Sequence, residues 1–168
     1  MKSNICLVGL ARSYTKSVAK RASEKLGMFF GDLDDLMQFE LIDVENARKL
    51  CGDNYINKVE EGKMKMLSSF ENTLFTFNYN ILNLEKNLDL VKEKSIIVFV
   101  SLNERNMANK LRRAGHKNSE LKLELELRSA RDKLCRKYAD IVVDGNDKTI
   151  DKVIFEIKKS LYNKLVKE

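Results

Sequence analysis

The sequence contains no run approaching the roughly 20 apolar residues that a membrane-spanning helix requires, so we expect no membrane partner. Its three cysteines lie far apart without C-x-x-C spacing, which argues against a disulfide framework or a zinc site. Proline is absent, which we attribute to genome composition. No signal-peptide pattern precedes the first apolar run, and together with the unpaired cysteines this leads us to expect a cytoplasmic protein.

Basic residues are not concentrated in a segment that is free of acidic residues. The 31 Lys and Arg residues give a net charge of +6, but 25 Asp and Glu residues are interleaved with them. The densest basic segment runs from Arg105 to Lys137 and contains no Phe, Tyr or Trp on which nucleic-acid bases would stack. We interpret these residues as solvated helix faces and do not expect a nucleic-acid partner. A phosphate-facing segment and a basic nucleic-acid-binding module remain as alternatives.

Short apolar runs alternate with helical periodicity along the whole chain. Five runs have the continuous hydrophobic character of buried parallel strands, and they begin at Asn4, Met28, Thr73, Ser95 and Asp140. The spacing of apolar residues predicts helices over 14–26, 34–39, 44–51, 55–70, 84–92, 104–113, 123–136 and 147–164. The alternation predicts an α/β protein with a three-layer, doubly wound, parallel five-stranded sheet. No linker interrupts it, so we expect one domain spanning 1–168, and a monomer.

The stretch "GLARSYTKS", residues 9–17, occupies the first strand-to-helix junction, where such folds bind anions on helix N-terminal amides. It departs from the nucleotide-binding pattern G-x-x-x-x-G-K-[ST]. Without a gap, Tyr14 stands at the second glycine, Thr15 at the lysine and Lys16 at the magnesium-binding hydroxyl. A side chain at position 14 hinders the approach of a phosphate to the backbone. The candidate nucleotide-binding residues, in degenerate form, are Gly9, Ser13, Tyr14, Thr15, Lys16 and Ser17.

Four stretches, in this order, resemble the shikimate kinases, which are P-loop small-molecule kinases. They are "NICLVGL" followed by "SEKLG", "FFGDLDDLM" for F-x-D-x-D-x-x-I, "GDNYINKVE" for G-E-x-x-F-R-x-x-E, and "KYADIVVDG". The resemblance covers nearly the whole chain and implies the strand order 2-3-1-4-5, with a lid-like segment at about 114–124. It also implies ATP, Mg²⁺ and the transfer of a phosphoryl group to shikimate in aromatic amino acid biosynthesis.

The resemblance assigns roles to several polar residues. The counterpart of Asp32 assists magnesium binding, that of Asp34 binds the shikimate hydroxyls and acts near the acceptor, and that of Arg131 grips the substrate carboxylate. Asn57 replaces the family's substrate-binding arginine, and residues 78–80 replace its Gly-Gly-Gly turn. For Asp32 and Asp34 two interpretations stay open. They form a charged pocket floor, or they cap the helix that follows the second strand.

These departures favour a shikimate-kinase-like pseudokinase that has lost efficient ATP-dependent phosphoryl transfer and serves as a ligand-binding or regulatory protein. We expect no cofactor, a small anionic or polyol-acid ligand, and Lys16 paired with Asp32 in place of the metal. The alternative is an active small-molecule kinase that uses ATP and Mg²⁺, with Lys16 and Asp34 as catalytic residues. One inserted residue would return Lys16 to the lysine position, but it would turn the apolar face of the following helix by roughly 100°.

Overall fold

The computed structural model describes residues 2–77 and 81–166, with the side chains of all of these except residues 81 and 82. The replacement of the Gly-Gly-Gly turn, at residues 78–80, lies outside the described residues. The strands are β1 (Asn4–Gly9), β2 (Phe29–Asp32), β3 (Thr73–Thr76), β4 (Ser95–Ser101) and β5 (Ile141–Asp144). The helices are α1 (Arg12–Leu26), α2 (Leu33–Leu41), α3 (Val44–Cys51), α4 (Asp53–Ser69), α5 (Ile81–Val91), α6 (Glu104–Arg113), α7 (Asn118–Tyr138) and α8 (Ile150–Leu165). Over the described part of the chain, none of these helices has both the length and the hydrophobicity to cross a bilayer.

The five strands form one parallel sheet in the order β2-β3-β1-β4-β5, which confirms the predicted fold class and strand order. At its centre β1 pairs with β4 from Asn4↔Ser95 to Gly9↔Val100, and every residue of both strands is buried. Such continuous burial is what a parallel sheet flanked by helices on both faces requires. Helix α1 packs against α8, and α5 packs against α4 and α7.

The largest difference between a predicted helix boundary and the observed one is at the start of α7. This helix begins at Asn118 and not at 123, because the backbone N–H of Lys117 donates to Glu120 Oε2 at 2.8 Å and closes the first turn. Residues 118–124 of the lid-like segment are therefore helical, and residues 114–117 connect α6 to α7. The lid-like role of the segment stays a prediction.

Helix α1 follows β1 after a two-residue connection and carries most of the predicted nucleotide-binding residues. Its inner face is fully buried at Val18, Ala19 and Ala22, and the helix ends at Gly27 in the left-handed conformation with a φ of 66°. Gly27 is, with Leu26, a position that the ungapped alignment preserves. The assignments of Tyr14, Thr15 and Lys16 to the loop pattern stay a prediction from that alignment.

Gly9 ends β1 where the strand meets α1, and a Cβ added there would lie 2.3 Å from Thr15 Oγ1. We expect Gly9→Ala to lower the free energy of unfolding by about 1–3 kcal/mol, because it overpacks this contact. Thr15→Ala in the same chain should remove part of the penalty, since it deletes the clashing atoms. Urea denaturation of the wild type, both single variants and the double variant measures the coupling between the two positions.

Gly62→Ala is the control for this substitution. Gly62 lies inside α4, and an added Cβ there meets nothing within 4 Å. We expect this change to stabilise the protein by about 0.5–1 kcal/mol through helix propensity. A Gly9→Ala variant as stable as the wild type would contradict the close approach of Gly9 to Thr15.

Candidate functional site

The connection between β1 and α1 is short and leaves no open loop between the strand and the helix. It consists of Leu10 and Ala11, which are both buried, and α1 begins at Arg12. The backbone N–H of Thr15 already donates to the carbonyl of Ala11 at 2.8 Å, so helical hydrogen bonding begins inside the predicted phosphate loop. Ala11 provides no side-chain cap for the helix. The first-turn amides of α1 are therefore the anion-binding groups that remain at this junction.

Tyr14, at the second glycine position of the pattern, is buried with 8% of its surface exposed. Its ring lies below the ammonium of Lys110, whose Nζ is 4.3 Å from the ring centre. Burial and the charge of Asp144 raise the pKa of Tyr14, and its hydroxyl has no hydrogen-bond partner among the described residues. Burial, with a smaller contribution from the charge of Arg113, lowers the pKa of Lys110. An aromatic side chain thus occupies the place where a P-loop has only backbone.

Thr15, at the lysine position, is turned into the protein. It is 4% exposed, and its hydroxyl donates to the carbonyl of Ala11 at 2.8 Å. Ser13 and Ser17 lie on the exposed side of α1, where the Ser17 hydroxyl donates to the carbonyl of Ser13 at 2.9 Å. The lysine position therefore carries a buried neutral hydroxyl and no charge.

Lys16 is a paired cation at this junction. Its Nζ lies 3.4 Å from Asp32 Oδ2 and 2.5 Å from Asp35 Oδ1. The pairing with Asp32 confirms the prediction. Burial lowers the pKa of Lys16, but the hydrogen bond to Asp35 and the charges of Asp32 and Asp35 raise it on balance. The stabilisation from these pairs is therefore present below about pH 10.4, and it is lost as the pH rises through the raised pKa.

The two carboxylates that follow β2 have different partners. Asp32 is 4% exposed, and its Oδ1 accepts the backbone N–H groups of Asp34 and Asp35 at 2.8 and 3.2 Å, so it caps α2 while it pairs with Lys16. Asp34 does not cap the helix. Its Oδ2 lies 2.9 Å from Arg12 Nε, and its side chain lines two cavities. The capping interpretation thus holds for Asp32, and the pocket interpretation holds for Asp34.

The sequence interpretation missed Arg12 and Asp35. Arg12 lies four residues before Lys16 on α1, and Asp35 lies three residues after Asp32 at the start of α2. Residues three or four apart are neighbours on a helix surface. This spacing is the signal that could have identified both residues.

Little free space lies between the Lys16–Asp32 pair and the Arg12–Asp34 pair. The cavity between them has a volume of ≈ 10 Å³, about enough for one water molecule. It lies where α1 meets the ends of β2 and β3. Its lining consists of Arg12, Thr15, Lys16, Asp32, Asp34, Thr76 and Phe77.

A larger cavity of ≈ 530 Å³ opens on the other side of the Arg12–Asp34 pair, between the start of α1 and helices α2, α3 and α4. Its volume is within the range of small-molecule sites. The apolar part of its lining includes Leu33, Met37, Ile42, Val44 and Ile56. The polar part includes Arg12, Asp34, Gln38, Asp43, Glu45, Arg48 and Glu60.

The other two predicted substrate-binding residues do not line this larger cavity. Asn57 Oδ1 accepts a hydrogen bond from Asn83 Nδ2 at 2.9 Å. Arg131 is buried on α7 and pairs with Glu124 of the same helix. Of the three predicted substrate-binding residues, Asp34 is therefore the one among the described lining residues of this cavity, and a shared role for the three stays a prediction.

The residues at the predicted metal position do not fit a magnesium ion. Mg²⁺ requires oxygen ligands in near-octahedral geometry, but Asp32 Oδ1 accepts two amides and its Oδ2 faces the Lys16 ammonium. A divalent ion about 4 Å from an ammonium group is repelled by about 8 kcal/mol at an effective dielectric constant near 20. Within residues 2–77 and 81–166, no three His, Cys, Asp or Glu side chains are grouped to hold a metal.

A parallel sheet of order 2-3-1-4-5, with the first strand–helix junction at the end of its central strand, is the arrangement of the P-loop small-molecule kinase folds. The family profile described as shikimate kinase matches residues 15–162. The chain therefore belongs to the shikimate kinase family. The matched range begins at Thr15, after the positions of Gly9 and Tyr14.

Individual relatives agree with this membership. The shikimate kinase of Dictyoglomus turgidum is 26% identical over 169 residues, covering 96% of this chain and 98% of the relative. The crystal structure of shikimate kinase from Aquifex aeolicus has a TM-score of 0.80 and 25% identity, covering 96% of this chain and 98% of that one. Shikimate kinase from Acinetobacter baumannii in complex with shikimate has the same fold, with a TM-score of 0.82, 18% identity and coverages of 96% and 94%.

The Tyr14 hydroxyl has no hydrogen-bond partner within the described part of the chain, and this predicts an unusual response to its removal. We expect Tyr14→Phe to raise the free energy of unfolding by about 1 kcal/mol, because it deletes a buried unsatisfied polar group. Urea denaturation measures this change, and Tyr162→Phe is the control, since Tyr162 is 69% exposed and should be neutral. A clear loss of stability in Tyr14→Phe would contradict the unpartnered state of the hydroxyl.

The position of Lys16 predicts how the protein responds to magnesium. We expect the melting temperature of the wild type to be independent of MgCl₂, and that of Lys16→Ser to rise with it, because Asp32 Oδ2 is then released and a hydroxyl replaces the ammonium. Thermal melts with and without the salt test this. Lys20→Ser, on the exposed surface of the same helix, is the control and should not respond. A magnesium-dependent rise in the melting temperature of the wild type would contradict the prediction that Lys16 takes the place of the ion.

Proposed function

We propose that this chain is a member of the shikimate kinase family that does not carry out efficient ATP-dependent phosphoryl transfer and acts as a ligand-binding or regulatory protein. The observation that carries the proposal is the arrangement at the β1–α1 junction. There Lys16 is paired with Asp32 and Asp35, and the cavity between the ion pairs measures ≈ 10 Å³. The family uses ATP and Mg²⁺, and this arrangement argues that neither is bound here.

The nucleotide side lacks its main source of affinity. Phosphoryl transfer depends on positioning and on neutralising phosphate charge. The loss of the P-loop lysine removes a charge-assisted contact of about 1.5–3 kcal/mol, or about ten- to a hundredfold in affinity. The ring of Tyr14, held below Lys110, adds a steric obstacle at the degenerate loop.

A cavity beside Asp34 supports the ligand-binding part of the proposal. The ≈ 530 Å³ space beside Asp34 is large enough for a small hydroxylated ligand, and shikimate is bound in the Acinetobacter baumannii relative. The resemblance suggests a polyol acid as the ligand of this space. Binding a small molecule without turnover is the simplest function that fits a ≈ 530 Å³ cavity beside Asp34 together with a cavity of only ≈ 10 Å³ at the β1–α1 junction.

The second candidate is an active shikimate kinase or related small-molecule kinase, with Lys16 and Asp34 as catalytic residues. Family membership and the position of Asp34 beside the large cavity favour it. For this activity Lys16 would have to leave Asp32 and Asp35, and Asp34 would have to leave Arg12. Each of these pairs would have to be exchanged for a contact with nucleotide, metal or acceptor.

A nucleic-acid-binding role receives no support from the basic segment, because many of its side chains pair with carboxylates. Lys137 lies 2.7 Å from Glu85, Arg136 lies 2.7 Å from Asp132, and Arg131 pairs with Glu124. Paired cations release fewer counterions on meeting a phosphate backbone. We therefore do not propose nucleic acid as a partner.

The experiment that tests the proposal is titration calorimetry with ATP and Mg²⁺, followed by an assay of ADP release with shikimate. We expect no binding in the micromolar range and no turnover, with the Aquifex aeolicus shikimate kinase as the active control. Tyr14→Gly alone should not restore activity, because it returns space to the loop and no charge. Micromolar ATP binding with shikimate turnover would replace the proposal with the active kinase.

A further inference from the structure

We propose that the ≈ 530 Å³ cavity binds a hydroxylated ligand that is uncharged or carries an ammonium group, and that it excludes carboxylic acids. This inference rests on the proposed ligand-binding role and names the class of ligand. It departs from the polyol acid that the family resemblance suggests. Four features of the cavity carry it: the charge of the described lining, the partners of its guanidinium groups, the lack of an acid-binding arginine among the described lining residues, and its hydrogen-bond acceptors.

The charge of the lining is negative in a protein whose net charge is +6. Among the described residues of the lining, four carboxylates stand against two guanidinium groups, which leaves a net charge of about −2 at neutral pH. The carboxylates are Asp34, Asp43, Glu45 and Glu60, and the guanidinium groups are Arg12 and Arg48. A carboxylic acid entering this space meets repulsion on balance, whereas an ammonium group meets attraction.

Each guanidinium group already pairs with a carboxylate of the chain. Arg12 Nε lies 2.9 Å from Asp34 Oδ2, and Arg48 Nε lies 3.3 Å from Asp53 Oδ1. Tight recognition of a carboxylate uses a guanidinium group in a bidentate pair. A ligand acid would therefore have to share a guanidinium group with a protein carboxylate, which would lie beside it as a like charge.

Neither position to which the resemblance assigns an acid-binding arginine contributes a guanidinium group to the described part of the lining. Asn57 stands where the family has its substrate-binding arginine, and its amide oxygen accepts from Asn83. Arg131, the counterpart of the carboxylate-gripping arginine, pairs with Glu124 and does not line the cavity. Both positions thus fail to supply the positive charge that a polyol acid requires.

The lining instead offers acceptors for hydroxyl groups. Asp43 Oδ1 accepts the backbone N–H of Asn46 as the N-cap of α3, and Glu60 accepts the side-chain amides of Asn83 and Asn87 at 3.2 and 2.6 Å. These contacts hold two of the carboxylates in place. A carboxylate has about four lone-pair positions, so each retains capacity for ligand hydroxyls or an ammonium group.

Three pyranose probes test the inference: glucosamine, glucose and glucuronate, which are cationic, neutral and anionic at neutral pH. Titration calorimetry of the full chain in low salt should give millimolar or tighter binding of glucosamine and glucose. We expect glucosamine to bind at least about tenfold more tightly than glucuronate, and the ratio to shrink as salt is added.

Glu45→Gln is the variant for the charge argument, because it removes one lining charge and keeps the shape of the side chain. It should weaken glucosamine binding by about three- to tenfold and leave glucose within about twofold. Glu24→Gln is the matched control. It makes the same change in net charge on the exposed surface of α1, away from the cavity lining, and should alter neither ligand.

The outcomes separate this inference from the proposed function. Glucuronate binding as tightly as glucosamine, or no binding by any of the three probes at about ten millimolar, would overturn the ligand class whether or not ATP is bound. Turnover of shikimate with ATP would reject the proposed function, and the order of the three probes would still decide the charge preference. An unchanged glucosamine affinity in Glu45→Gln would also overturn the inference.

Discussion

The contact on which the site depends is the Lys16 ammonium between the carboxylates of Asp32 and Asp35. Asp32 is almost fully buried, so its charge requires a partner inside the protein. One of its oxygens caps α2, which leaves the other for a cation. Lys16 supplies that cation from α1, and in doing so it fastens the first turns of α1 to the start of α2.

The sheet order explains why these residues meet. β2 and β1 are both neighbours of β3, so the carboxyl ends of the three strands lie together at one edge of the sheet. Two residues separate α1 from the end of β1, and α2 starts directly after β2. The cations of one helix therefore face the carboxylates of the other, with Thr76 and Phe77 at the end of β3 between them. A longer loop after β1 would move Arg12 and Lys16 away from this position.

The fold could be predicted because the central strands have continuous apolar runs, "NICLVG" and "SIIVFV", in a chain where such runs alternate with helical patterns, and the family resemblance supplied the strand order. The pair of Lys16 with Asp32 could be predicted because the ungapped register fixes both positions. The pairing of Arg12 with Asp34 could not be predicted from the pattern alone, since it depends on which way a long side chain turns across two helices. The early start of α7 was missed because a polar segment can form a helix when its first turn is closed by Glu120.

At this junction the charged side chains pair with one another, so changing a single residue would leave the charges of the others in place. A phosphoryl-transfer site holds Mg²⁺ on carboxylates and directs its free cations at phosphate oxygens. Here Arg12 and Lys16 are already balanced by three carboxylates, Asp32, Asp34 and Asp35. A nucleotide entering the junction would have to break these pairs first, and each broken pair would leave a carboxylate beside the incoming phosphate. Restoring the glycine at position 14 would change the available space and would leave this balance of charge unaltered.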